Sequence, residues 1–458
     1  MKHAIVIGSS IAGLLAARAL SERFEQVTIV ERDSLPKSVQ PRKGVPQGEH
    51  GHGLLAAGLN SLERLFPGFS KQLIDSGAES GDIAKRFRYF QFGIYKIRSD
   101  SGLTALTMSR PLIESQIQAR VRELKNVRFI ENRSVFGLTS SQNKTRVTGV
   151  RLTSSDNEID DNEINDNLYA DLVVDASGRG SLAPIWLEGL GYSKPVQRII
   201  KINMGYTTRT YSRKPDDLEG DIAALLVAKA PKQKRTGVML AVEGSRWMVT
   251  ICGTLGDHAP TDEAGFLEAL KNLPSPDIYN VIKNAEPLSE IVSYKYPHNQ
   301  RRYFEKLAQF PQGFLVFGDA LCSFNPIYGQ GMTVAALEAM ALRDELQAGL
   351  FGISQRFFAR AATVIDTPWM IAVGEDLRYP EVNAPRSATV RFINWYIGLV
   401  QIASRTDSVV CNAFHRVSNL LEAPPSLFQP RIVARVIKAN FRQSKPQVTP
   451  LQSTQATN

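Results

Sequence analysis

Phe314-Leu-Val-Phe-Gly-Asp-Ala320, followed by Asn325-Pro-Ile-Tyr-Gly-Gln-Gly-Met332, is the stretch whose reading sets the fold. Phe314–Phe317 is an unbroken apolar run, the pattern of a strand buried on both faces. Gly318-Asp319 then turns, and a glycine-rich loop opens a helix at about Met332. A carboxylate therefore stands at the end of a buried strand. Beside it, Gly318, Gly329 and Gly331 let the backbone approach a ligand closely.

The same grammar opens the chain. Lys2-His-Ala-Ile-Val-Ile-Gly8 reads as a buried strand, and Leu14-Leu-Ala-Ala-Arg-Ala-Leu20 as the helix after it. Between them Gly8, Ser10 and Gly13 form a GxGxxG turn with Ser10 at the second glycine. The first position permits the tight turn, the second admits a pyrophosphate, and the third lets helix and strand pack closely. The free N–H groups at the helix N-terminus favour an anion. Val27-Thr-Ile-Val-Glu31 supplies a second strand with Glu31 at its end, at the distance expected for a carboxylate on an adenosine ribose through a solvent-exposed hydrogen bond. Ala12 and Arg32 lie in the same two turns and are counted with this site. A signal peptide over residues 2–20 would leave the glycines and Glu31 unexplained.

A turn of this kind serves NAD or FAD. Leu172-Val-Val-Asp175-Ala-Ser-Gly178-Arg-Gly-Ser181 is a third buried strand ending in an acid and a glycine turn, and Asp175 and Gly178 join the candidate site. Open α/β sheets bind ligands at the carboxyl ends of their strands. Three such ends converging call for one long cofactor with a second hydroxylated segment, which FAD has in its ribitol chain.

The 458-residue chain can hold two domains with large cores. Its net charge of +9 is spread, with no Lys/Arg block interleaved with aromatics, so nucleic acid is not an expected partner. Cys252, Cys322 and Cys411 are too few and scattered for a disulfide framework or zinc site, and fit a reducing, cytoplasmic compartment. No apolar run is long enough to cross a bilayer. Arg431, Arg435, Lys438 and Arg442 share one helical stripe, with Ile432, Val433, Val436, Ile437 and Phe441 on the other side. Such a helix either docks on its own protein or touches a membrane surface peripherally.

The fold expected is α/β: a Rossmann-like FAD-binding domain with an inserted sheet-based substrate domain and a helical C-terminal region. Residues 1–190 form the first part of the FAD-binding domain, with substrate-side segments near 60–105. The substrate domain is 191–305, the second FAD-binding part 306–345, the helical region 346–442, and 443–458 a disordered tail. A helix is expected from near Ser109-Arg-Pro111 to about Leu124, and one strand over Leu168–Asp175. The acidic run from Ser155 to Asp166 reads as a solvated loop tip, lacking the glycine and ligand order of an EF-hand loop.

Together these elements resemble the FAD-dependent monooxygenase superfamily of the aromatic hydroxylase and squalene epoxidase type, over residues 1–60, 105–182 and 310–345. The resemblance implies that Asp319 holds the ribitol, that Pro326, Gly329, Gln330, Gly331 and Met332 line the isoalloxazine, that Arg110 contacts FAD and that Glu31 is the ribose acid. Pro41-Arg-Lys-Gly-Val-Pro-Gln-Gly-Glu-His50-Gly-His52-Gly-Leu-Leu55 and Thr367-Pro-Trp369 through Asp376-Leu-Arg-Tyr-Pro380 resemble bacterial FAD-dependent oxidoreductases that include polyene epoxidases. The resemblance implies a monooxygenase inserting one oxygen atom from O2 into an apolar alkene or aromatic substrate through a flavin C4a-hydroperoxide. The alternatives are a reductase saturating isoprenoid double bonds and a non-catalytic FAD electron carrier. Where aromatic hydroxylases carry Cys-Asp-Gly, this chain has Asp175-Ala-Ser-Gly178, so NAD(P)H supplies electrons either directly or through a separate reductase. The tryptophan-halogenase WxWxIP signature is absent.

The helix opening at Gly331 would stabilise negative charge on reduced flavin by its dipole. Arg42 is a candidate for flavin or phosphate contact. His50 and His52 are a close histidine pair that a strand would place on one face, toward flavin or substrate. No third ligand is placed by spacing, so no metal is expected.

Overall fold

The computed structural model describes residues 1–42, 44–153 and 166–443. The acidic stretch 155–165 and the tail beyond 443 lie outside them. The buried runs do pair as one parallel sheet, in the spatial order Phe314–Val316, Leu172–Asp175, His3–Ile7, Gln26–Val30, Val127–Ile130. Ile7 lies opposite Asp175 on one side and Val30 on the other, and Asp175 lies opposite Val316. The register therefore brings the Gly8, Glu31, Asp175 and Gly318 turns to one edge of the sheet. Right-handed crossovers put helices on the faces of such a sheet. Ile11–Ser21 packs there against Gly331–Glu345, burying Leu14, Leu15 and Ala16 of the first helix and Val334, Ala335 and Ala336 of the second.

A three-stranded antiparallel sheet (Val135–Ser140, Val147–Leu152, Asp166–Tyr169) flanks this layer. The expected single strand over Leu168–Asp175 is two strands, broken at Ala170-Asp171. The Asp171 carboxylate accepts the Lys2 amide at 2.8 Å and the His3 amide at 3.2 Å, turning the chain from the antiparallel sheet into the parallel one.

The second large layer is an eight-stranded sheet. Its order is Cys322–Ser323, Val292–Arg302, Gln197–Ser212, Arg246–Gly253, Arg235–Val242, Ala223–Leu226, Phe87–Gln91, Ile94–Tyr95. It thus takes strands from outside 191–305 at both edges. Helices Ile353–Asp376, Ala388–Ala403, Ser408–Ser418 and Pro430–Gln443 follow in sequence. Ile432 and Val436 of the last helix are buried against Tyr396, Val400 and Leu427, while Ile437 and Phe441 stay exposed. The basic stripe thus edges a docked helix, and Arg435 pairs with Asp407 at 3.0 Å. No helix among the described residues is long and apolar enough to cross a membrane.

Candidate functional site

A cavity of about 540 Å³ runs along the carboxyl edge of the parallel sheet and beneath the eight-stranded sheet. That volume lies within the usual range for small-molecule and cofactor sites. Gly8, Ser10, Ala12, Glu31, Arg32, Arg42, His52, Arg110, Gly178, Asp319, Pro326, Gly329, Gly331 and Met332 all line it.

At one end the backbone is shaped by glycine. Gly8 has φ +94°, and a Cβ on Gly13 would lie 1.9 Å from the Gly8 carbonyl oxygen. Gly13 therefore does not line the cavity. It seats the helix on the strand. The helix Ile11–Ser21 has no side-chain cap and no acidic residue in its first turn, and neither has Gly331–Glu345. Both N-termini thus present unsatisfied N–H groups and positive dipole ends to the same cavity.

Glu31 is buried, not solvent-exposed as expected. Its Oε2 accepts the Ser9 amide at 2.8 Å and the Ser9 hydroxyl at 2.6 Å, and its Oε1 accepts the Asp33 amide at 3.1 Å. Arg42 Nη1 stands 3.1 Å from Glu31 Oε2, and Arg42 Nε 2.9 Å from Glu114. Burial pushes the Glu31 carboxyl up, but the Ser9 donors and Arg42 outweigh it, and the net shift is downward. Arg42 therefore knits the wall together between two acids, with its own charge largely spent on them.

Asp319 lies open to the cavity. Among the described residues its carboxylate has no hydrogen-bond partner, and burial raises its pKa against the opposing pull of Arg110 and Arg179. Arg110 Nε stands 3.4 Å from Glu114 Oε2, an ion pair that does not make a hydrogen bond. The Arg179 guanidinium lies over the Tyr296 ring at 4.6 Å, its Nη1 buried without a hydrogen-bond partner among the described residues. Unpaired polar groups shielded from bulk water are costly and call for a ligand. Gly329, at φ +65°, lies against Gly53, where a Cβ would meet backbone at 3.3 Å.

Asp175, Gly318 and Gln330 do not line the cavity. The Asp175 carboxylate is consumed by its own turn, accepting the Ser177 amide at 2.9 Å and the Ser181 hydroxyl at 2.6 Å. Gly318 at φ +66° packs against Ala12, and its amide donates to Glu338 Oε2 at 2.7 Å. Gln330 is buried behind the loop, its Oε1 without a partner among the described residues. These three shape the turns that others present.

The two histidines are not in a strand. They follow the short 3-10 turn Pro46–Glu49 and part company. His50 Nδ1 lies 2.7 Å from Thr208 Oγ1 in the eight-stranded sheet, with its ring near Tyr206 and Tyr294. His52 Nδ1 donates to the His50 carbonyl at 2.7 Å and its ring lines the cavity. Burial pushes His50 down to about 4, and burial with Arg110 pushes His52 to about 3, so both are neutral at ordinary pH.

Arg179, Tyr294 and Tyr296 line the cavity and were not singled out from sequence. Tyr294 and Tyr296 stand two apart on Val292–Arg302, so the period of a strand puts both on one face. That spacing was the available signal. Cys322 is buried, and burial pushes its thiol well above the usual range, against a thiolate role.

Glu338 lies wholly buried under the Gly318 turn. Burial pushes its carboxyl from the ordinary 4.5 up to about 8, against the Gly318 amide and with Asp319 adding to the rise. Because its folded-state pKa is raised, the stability it contributes is present below about 4.5 and lost as pH rises through about 8. Glu338→Gln is expected to flatten this decline. Denaturant unfolding at three pH values across that window checks it, and an unchanged slope counts against a buried neutral acid here.

The residues fit FAD: a glycine-floored turn with the uncapped N-terminus of Ile11–Ser21 for the diphosphate, the Asp319 carboxylate midway, and at the far end a loop of close backbone approach that opens the uncapped helix Gly331–Glu345. No family model matches the chain. Protein Rv3254 of Mycobacterium tuberculosis is 33% identical over 455 residues, covering 96% of this chain and 94% of its own length. Among solved structures, the flavin-dependent brominase Bmp2 superposes with a TM-score of 0.67 at 14% identity, covering 96% of this chain and 100% of its own. The p-nitrophenol 4-monooxygenase PnpA from Pseudomonas putida gives 0.61 at 16% identity, covering 92% and 99%. The chain belongs to the family of protein Rv3254, and its fold is that of the FAD-dependent monooxygenase superfamily.

Proposed function

We propose that this protein binds FAD and is a monooxygenase that inserts one oxygen atom from O2 into an apolar alkene or aromatic substrate. The observation that carries the reading is the single cavity joining the sheet edge at Gly8 to the Gly329–Met332 loop under the second sheet. Bound FAD, reduced by NAD(P)H directly or through a separate reductase, would supply the two electrons that reduce the second oxygen atom to water.

Each wall has its task. The N-termini of Ile11–Ser21 and Gly331–Glu345 offer N–H donors to anionic groups. Asp319 offers an acceptor to hydroxyls. Gly329 and Gly331 allow backbone donors to lie against a flat ring. The eight-stranded sheet above closes that end and excludes water, with Tyr206, Tyr294 and the neutral His50 packed together. Neutral imidazoles beside a reacting carbon can hold a hydrogen bond without adding charge.

The test reconstitutes the protein with FAD, NADPH and a generic flavin reductase over a panel of polyenes and phenols. We expect substrate-dependent O2 consumption and a product carrying one isotopic label from labelled O2. Saturation of a double bond without O2 would instead assign a reductase. Reoxidation with no change in any substrate would favour an electron carrier.

A further inference from the structure

Asp376 ends the helix Ile353–Asp376 and is 2% exposed. Its Oδ1 accepts the Tyr328 hydroxyl at 2.8 Å and Asn325 Nδ2 at 3.3 Å, and its Oδ2 accepts Asn299 Nδ2 at 2.6 Å. Asn299 Oδ1 in turn accepts the Asn325 amide at 2.5 Å. Asn325 Oδ1 accepts the Tyr206 hydroxyl at 2.8 Å, and the Tyr206 oxygen accepts the Ile327 amide at 3.0 Å. One buried network thus ties the helix Ile353–Asp376 and two strands of the second sheet to the loop 325–329. Asn325 and Tyr328 bracket Pro326 and Ile327, and Pro326 and Gly329 line the cavity.

The choice of an acid here is informative. A carboxylate accepts at both oxygens, and three donors converge on it. An Asn of the same shape would set its NH2 against the Asn299 NH2. Yet the site is hostile to a negative charge: it is buried, it sits at the negative end of a helix, and Glu375 is its neighbour. Core stability alone would be served as well by apolar packing. The three donors it gathers all belong to the loop or to its anchor.

We propose that Asp376 is a positioning residue that sets the Asn325–Gly329 loop for the ring of the bound cofactor. This rests on the FAD reading of the cavity. The titratable and charged groups around it are Tyr206, Tyr328, Glu375 and Tyr379, with Arg378 turned to Glu375 at 2.8 Å. Burial lifts the Asp376 carboxyl to about 6 against its three donors, so the latch loosens as pH falls through that value. Burial also lifts the Tyr328 phenol well above its usual range, so it stays a donor throughout.

The experiment titrates FAD into native protein, Asp376→Asn and Tyr328→Phe, following binding and the visible flavin spectrum from pH 5 to 8. Asp376→Asn is expected to weaken FAD binding about tenfold, to alter the flavin absorption envelope, and to flatten the loss of affinity below pH 6. Tyr328→Phe removes one donor of three and should weaken binding by about threefold while keeping the pH dependence. Native affinity, spectrum and pH profile in a folded Asp376→Asn protein would overturn the proposal. Should that variant not fold, an unchanged affinity and spectrum in Tyr328→Phe would overturn it. Failure of the native protein to take up FAD would sink the cofactor reading itself, a distinct result.

Discussion

Asp319→Ala is expected to cost about 3 kcal/mol of FAD binding, a weakening of about a hundredfold. A carboxylate bonding a neutral hydroxyl is worth about 1.5–3 kcal/mol, and Asp319 has no protein partner to compete for it among the described residues. The apo protein should not suffer. Burial raises the Asp319 pKa, so its ionised form at neutral pH is a cost to folding, and alanine relieves it. The signature is a large loss of affinity with an unchanged or raised Tm before cofactor is added. Asp319→Asn keeps one acceptor and should lose less. Equilibrium titration beside thermal unfolding decides, and a variant that purifies fully yellow would count against the assigned role.

Gly13→Ala should have the largest effect on stability, at about 3 kcal/mol. The new Cβ would sit 1.9 Å from the Gly8 carbonyl oxygen, and that oxygen cannot yield easily. The Gly8 amide donates to the Val30 carbonyl at 2.8 Å, and the strand before it is paired on both sides. The helix must lift off the sheet, carrying its N-terminus away from the cavity, so FAD binding should fall as well. Gly189→Ala is the internal control. It lies in the helix Ala183–Leu190, where an added Cβ meets no heavy atom within 4 Å, and should gain about 0.5–1 kcal/mol. Denaturant unfolding of the pair checks both signs, and two equal effects would refute the close-packing argument.

The strands of the parallel sheet were legible because each is an apolar run closed by a glycine or acid turn, and that pattern is local. The helix Arg110–Arg122 was legible from Ser109 and Pro111, a capping residue and a proline at its start. What went astray was the partner of each side chain. Asp175 and Asp319 read alike from sequence, as acids ending buried strands. In the structure one closes its own turn on Ser177 and Ser181, and the other stands over the cavity with no hydrogen-bond partner among the described residues. Glu31 was legible as the acid of the turn. That Arg42 would cover it depends on where the loop 36–50 returns, and no local pattern carries that. His50 and His52 were paired by spacing, then separated because the 3-10 turn before them breaks the strand geometry on which a shared face depends.

By itself the sequence determined the class of this protein: the buried runs, the glycines at positive φ and the uncapped helix starts are local devices, and each states its conformation within a few residues. Only the tertiary structure decided which acid is free. Whether a carboxylate is spent or available depends on donors brought from distant segments, as Asn299, Asn325 and Tyr328 are brought to Asp376, and long-range packing sets those meetings.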